Sequence, residues 1–130
     1  MKVELRETTL GLGLLRPGVL LRAEGAVLLG MSVLLYWLNG GSWVLFGLLL
    51  LAPDLSMLGY LVGRRAGAGV YNVFHVYALP AALGAYGLVG GSSVAVSVAL
   101  IWLAHIGADR MLGYGLKYAS GFKDTHLGRV

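Results

Sequence analysis

The sequence predicts an all-α integral membrane protein, a four-helix bundle with short hairpin connections. Of its 130 residues, 58% are hydrophobic and 12% charged, with a mean hydropathy of +0.78. That is more apolar content than one small soluble core can hide. The apolar residues fall into four runs, about 17–38, 42–62, 66–89 and 93–116, each near the ~20 residues that cross a ~30 Å hydrocarbon layer. The runs are continuous rather than alternating, and the breaks between them ("NGGS", "GRR", "GGSS") are short. Those features favour helices joined by tight hairpins over a barrel. Residues 1–130 therefore read as a single four-span domain with a polar tail over 117–130.

The first run follows Lys2, Glu4, Arg6 and Glu7, and no small-residue cleavage pattern closes it, so a removable signal peptide is not expected. It carries Arg22, expected to snorkel to the interface, and Glu24. The second run contains Pro53 followed by Asp54. The third contains Asn72, His75 and Pro80 among the small residues Gly67, Gly69, Ala81, Ala82 and Gly84, which suit close helix approach. The fourth ends in "HIGADR", His105 to Arg110. Tyr36, Trp37 and Trp43 near the first hairpin fit an aromatic belt.

Basic residues are distributed unevenly. Lys2, Arg6, Arg16 and Arg22 precede or open the first span, Arg64 and Arg65 lie between the second and third, and Arg110, Lys117, Lys123 and Arg129 come late. The hairpins at 39–42 and 90–93 carry no charge. By the positive-inside rule both termini and the Arg64–Arg65 turn are expected in the cytoplasm. Anionic lipid headgroups account for the net charge of +4, and the interleaving of basic and exposed aromatic residues that nucleic acid requires is missing. Absence of cysteine removes disulfides and thiolate metal sites.

Depth brings the ionisable residues together. At ~1.5 Å per residue, Asp54 and His75 lie about 13 Å to the same side of the Arg64 turn on successive antiparallel spans. Counted from the other hairpins, Glu24, His105 and Asp109 fall at nearly the same height. His105 and Asp109 share a helix face at i, i+4, and Asn72 and His75 at i, i+3. Pro53 and Pro80 free the carbonyls of Leu49 and Val76 beside this layer. Charges inside a bilayer cost a few kcal/mol at the least and normally face the bundle interior, where they pair and serve function.

Imidazoles and carboxylates are ligands of zinc and manganese. The expected metal ligands are Asp54, His75, His105 and Asp109, with Glu24 and Asp54 as candidate general bases. The corresponding reaction is metal-dependent hydrolysis of a phosphoester or an anionic lipid headgroup reached from the cytoplasmic side. Asn72, Arg64, Lys123 and His126 are candidates for substrate binding. Two other readings use the same residues. His75 and His105 could be axial ligands of a haem in an electron carrier, or the layer could be a proton relay, transporter or non-catalytic scaffold, with transport requiring a homodimer.

Five blocks, "LRAEG" (Leu21–Gly25), "PDLSMLGYLVG" (Pro53–Gly63), "YNVFHVYALP" (Tyr71–Pro80), "IWLAHIGADRMLGYGLKY" (Ile101–Tyr118) and "GFKDTHLG" (Gly121–Gly128), carry a family likeness. Through them the chain resembles a bacterial family of small membrane proteins, the domain of unknown function 4260. That resemblance implies a multi-span protein of the bacterial inner membrane and no particular activity. A looser resemblance is to membrane-bound metal-dependent hydrolases, where Asp54, His75, His105 and Asp109 match an early aspartate, a central histidine and a later H-x-x-x-D. The central block here reads "YNVFH" in place of an H-R-x-x-T-H string, one histidine fewer. The tail block places Lys123, Asp124 and His126 beyond the last span, where they either fold over the polar layer or remain solvated.

Overall fold

The structure is a computed structural model and describes residues 13–130. The N-terminal charges and the expectation that no signal peptide is removed concern residues 1–12, outside the described part. Four helices are long and apolar enough to cross a membrane, and no strand occurs among the described residues. The first is α1 (Pro17–Leu38), with proline in its first turn, where a missing N–H costs nothing. The second span joins α2 (Trp43–Leu49) to a 3-10 helix (Ala52–Leu61). The third joins α3 (Arg64–Phe74) to α4 (Ala78–Gly90), and the fourth is α5 (Ser93–Leu112).

Serine explains why two of the breaks are so short. The Ser42 hydroxyl accepts the N–H of Leu45, and the Ser92 hydroxyl accepts that of Ala95, so each hairpin supplies the N-cap of the next helix. Asn39, at the end of α1, donates to the Ser97 hydroxyl at 2.9 Å and to the Ser93 carbonyl at 3.2 Å. This ties the two hairpins together at one end of the bundle. The same end holds the apolar core, in which fully buried Tyr36 meets Trp43 and Phe46 with ring centroids 5.2 and 5.1 Å away.

Helix α5 is the most buried element and packs on α1 along one side and α4 along another. Two glycines set the α1–α5 distance. A Cβ on Gly25 would run into the Gly107 carbonyl oxygen at 2.8 Å, and one on Gly107 would meet the Leu29 nitrogen at 2.7 Å. The crossing is thus backbone against backbone, the small-residue packing that membrane helices use in place of hydrophobic drive. The small residues of the third span divide between partners. Gly67 lies under Tyr60 of the 3-10 helix, and Gly87 packs against Val96 of α5.

The second and third spans both change conformation midway. Pro53 has no N–H to complete a bond to the Leu49 carbonyl, and from Ala52 the chain tightens into a 3-10 helix of 10 residues, well beyond the usual three or four. The third span breaks at His75–Tyr77 and restarts with Pro80 in the first turn of α4. Two of the carbonyls exposed at this break are taken by side chains of α5. Trp102 donates its indole N–H to the Phe74 oxygen at 2.7 Å, and Arg110 donates to the His75 oxygen at 3.1 Å.

The fourth helix stops at Leu112, short of the 116 expected from hydropathy. Gly113 adopts φ +94, and the N–H groups of Gly113 and Tyr114 bond back to the Arg110 and Asp109 carbonyls at 3.1 and 2.7 Å, a Schellman termination. The tail then packs on the Arg64 end of the bundle. Asn72 donates to the Lys117 carbonyl and accepts its N–H, both at 2.7 Å, and Lys117 forms an isolated antiparallel bridge with Thr125.

Candidate metal centre

The break in the third span points the His75 ring inward. Its Nδ1 lies 2.7 Å from the Tyr71 carbonyl oxygen. A carbonyl can only accept, so Nδ1 carries the proton and Nε2 of the neutral ring presents a lone pair. Tyr71 also stacks on the ring, with centroids 3.7 Å apart and planes 10° from parallel. Backbone acceptors behind ligating histidines are the usual outer partners that fix tautomer and ring orientation.

Four ligand atoms converge in front of the His75 ring. His75 Nε2 is 3.2 Å from His105 Nε2, 3.2 Å from Asp54 Oδ1 and 3.5 Å from Asp109 Oδ2. His105 Nε2 is 3.1 Å from Asp54 Oδ1 and 3.2 Å from Asp109 Oδ2. All four residues offer an atom within 4.8 Å of every other. Ligands held about 2.0 Å from an ion in a tetrahedron stand about 3.3 Å from one another, so the five separations that involve a histidine match the edges of a coordination shell. Two carboxylate oxygens facing the His75 lone pair are acceptors facing an acceptor, an arrangement that a cation at the centre satisfies.

Both imidazoles are buried, Asp109 retains 18% of its side-chain exposure, and Asp54 retains 34%. The residues come from the 3-10 helix, the end of α3 and one face of α5. Height was enough to unite these four, and not enough for Glu24. The glycine contact turns the Gly25 face of α1 toward α5, leaving Glu24 on the outward face with Leu20, Val27 and Met31. Glu24 is therefore not at hand as a base for the cluster.

The expected substrate contacts are dispersed as well. Both polar atoms of the Asn72 amide are engaged by the Lys117 backbone. Arg64 and Lys123 are exposed. His126 packs on the Arg110 guanidinium, with Arg110 Nη1 3.0 Å from Nε2, and its Nδ1 accepts the Leu116 N–H at 2.8 Å. Burial and the neighbouring Arg110 charge lower its pKa. The tail is thus a packed cap, anchored by Arg110, which reaches from His126 to the His75 carbonyl.

Lys117, read in the sequence only as one of the late basic residues, is buried against the site. It is 7% exposed, its Nζ donates to the Phe122 carbonyl at 2.8 Å, and the ammonium lies 4.7 Å from the Tyr71 ring centroid. Burial pushes its pKa down, and the Asp109 and Asp54 carboxylates oppose that shift. Only its place between two aromatic blocks, "YNVF" and "GFKD", could have hinted at this. Arg110, adjacent to Asp109, was visible as a charge within a span, but its hold on the break at His75 depends on the break itself.

The family model described as Domain of unknown function (DUF4260) matches residues 18–130. No curated protein and no solved structure matches the chain.

Proposed function

The chain belongs to the DUF4260 family, and we propose that it is a membrane-embedded, divalent-metal-dependent hydrolase of phosphoesters or lipid headgroups. The observation that carries this reading is the convergence of Asp54, His75, His105 and Asp109 at coordination-shell separations with the His75 lone pair turned inward. A bound zinc or manganese supplies Lewis acidity and lowers the pKa of a water. His75, His105, Asp109 and Asp54 through Oδ1 would hold the ion. Asp54, the most exposed of the four, would accept the proton of the attacking water on its other carboxylate oxygen. The water oxygen bonds to phosphorus, the bond from phosphorus to the alcohol oxygen breaks, and the alcohol leaves with the proton that Asp54 returns.

The basic residues support an orientation with the Arg64 end and the C-terminal tail in the cytoplasm, so the site would open toward the inner leaflet. The haem alternative needs a porphyrin between the two imidazoles. Nitrogens 3.2 Å apart leave no layer for it, since each would stand about 2 Å from opposite faces of the iron.

Elemental analysis and an absorption spectrum of the purified protein test the reading. Zinc or manganese at about one ion per chain is expected, falling more than about 100-fold in affinity in His105→Ala, beyond the loss of an outer partner. Full occupancy retained in His105→Ala, or a Soret band in place of the metal, overturns it.

A further inference from the structure

An apolar cavity of about 170 Å³ lies beside the cluster. Its walls run directly into the ligand residues: Pro53 precedes Asp54, Phe74 precedes His75, and Ile101 lies one turn before His105. Every lining side chain is apolar except Trp102, whose indole N–H is already given to the Phe74 carbonyl. Phe74 is 41% exposed, so the cavity opens sideways, where the surroundings of a spanning helix are lipid rather than water.

We propose that this cavity grips the hydrocarbon chain of the substrate, making that substrate a membrane lipid phosphoester rather than a water-soluble one. The inference rests on the hydrolase reading of the cluster. Size suits it, because an apolar cavity of about 150 Å³ lined by Leu, Ile and Phe takes up benzene, so this one holds a comparable stretch of hydrocarbon. Direction suits it too. Val98 and Trp102 stand seven and three positions before His105 on α5, which puts the cavity on the side of the cluster away from the Arg64 end. A lipid in the leaflet on the Arg64 side has its head toward that end and its chain toward the bilayer centre, the same order as cluster and cavity. A soluble phosphoester would gain nothing from walls that offer only hydrocarbon.

The test uses the full-length, metal-loaded protein in nonionic detergent, with Trp37 and Trp43 replaced by phenylalanine so that Trp102 reports alone. The probe is a long-chain alkyl phosphate brominated along its chain, with ethyl phosphate as the short control. Saturable quenching of Trp102 by the long chain, weakened at least about tenfold when Val98→Phe fills the cavity, is the expected result. Metal content of Val98→Phe, unchanged, confirms that the variant is folded. Quenching that rises linearly without saturation, or that Val98→Phe leaves alone, overturns the inference. Hydrolysis assayed in parallel separates the two claims. Saturable quenching without turnover sinks the hydrolase reading and spares the cavity, whereas equal turnover of long and short phosphoesters, insensitive to Val98→Phe, does the reverse.

Discussion

The first and fourth spans are unbroken α-helices, whereas the second and third each abandon α-helical geometry at the level of the Asp/His cluster. The difference separates scaffold from site. The continuous pair meets backbone to backbone at Gly25 and Gly107, a contact with no freedom to adjust. The interrupted pair supplies Asp54 and His75 from the places where regular hydrogen bonding is lost, and it depends on α5 to satisfy what the break exposes. Irregular backbone at membrane depth is tolerated only where protein or a cavity covers it. The break is therefore affordable because an intact α5 runs beside it.

Disturbing the continuous pair should have the larger effect. Gly25→Leu drives a side chain into the Arg110 and Met111 backbone region and should destabilise the fold by at least about 3 kcal/mol, read as a fall in thermal unfolding temperature in detergent. A loss under about 1 kcal/mol would mean that the α1–α5 crossing is looser than the glycines imply. On the interrupted side, Trp102→Phe removes one donor to the Phe74 carbonyl while keeping most of the ring. It should cost about 1 kcal/mol by denaturant unfolding, and a neutral result would show that the break finds another partner.

How much of this was written in the sequence depends on which coordinate is asked for. Counting residues from the turns gave heights, and heights correctly grouped Asp54, His75, His105 and Asp109. Rotation about the helix axis was legible only within one helix, as for His105 and Asp109 at i, i+4. For α1 the rotation is set by Gly25, a residue whose meaning lies in the Gly107 backbone opposite it, so Glu24 shared the height and missed the site. The interruption near His75 had a local signal in Pro80. The long 3-10 helix had only Pro53, which accounts for one missing bond and not for ten residues of tighter winding. Lys117 could not be recognised as buried, because its burial comes from the Asn72 clip and from Phe122 folding back over it.

The tail gives the smallest and most specific effect. Asp124 is held by Arg129, at 2.9 and 2.6 Å, and by the Ser120 hydroxyl, and the guanidinium hydrogen bonds chiefly draw its carboxyl down from 3.8 to about 2. A depressed carboxyl contributes order that is complete above its unfolded value and disappears as pH falls through the folded one. Expressed as protection relative to free-chain exchange at each pH, order over 117–129 should loosen first as pH falls below about 6.5 and His126 is forced to protonate beside Arg110. The Asp124 contribution should appear as a further loss of protection between about pH 4 and pH 2. Asp124→Asn should remove that lower transition without altering exchange in α5. Persistence of the transition in the variant would assign it to another group.

Because its donors are spread over three spans, the centre cannot be finished while the chain is still being made. A nascent protein whose fourth span has not left the translocon owns only Asp54 and His75 from the set, too few to hold an ion firmly. On the proposed metal reading, metallation would be confined to the fully inserted chain, and since ligand binding free energy is also assembly free energy, the ion would act as a late seal on correct insertion.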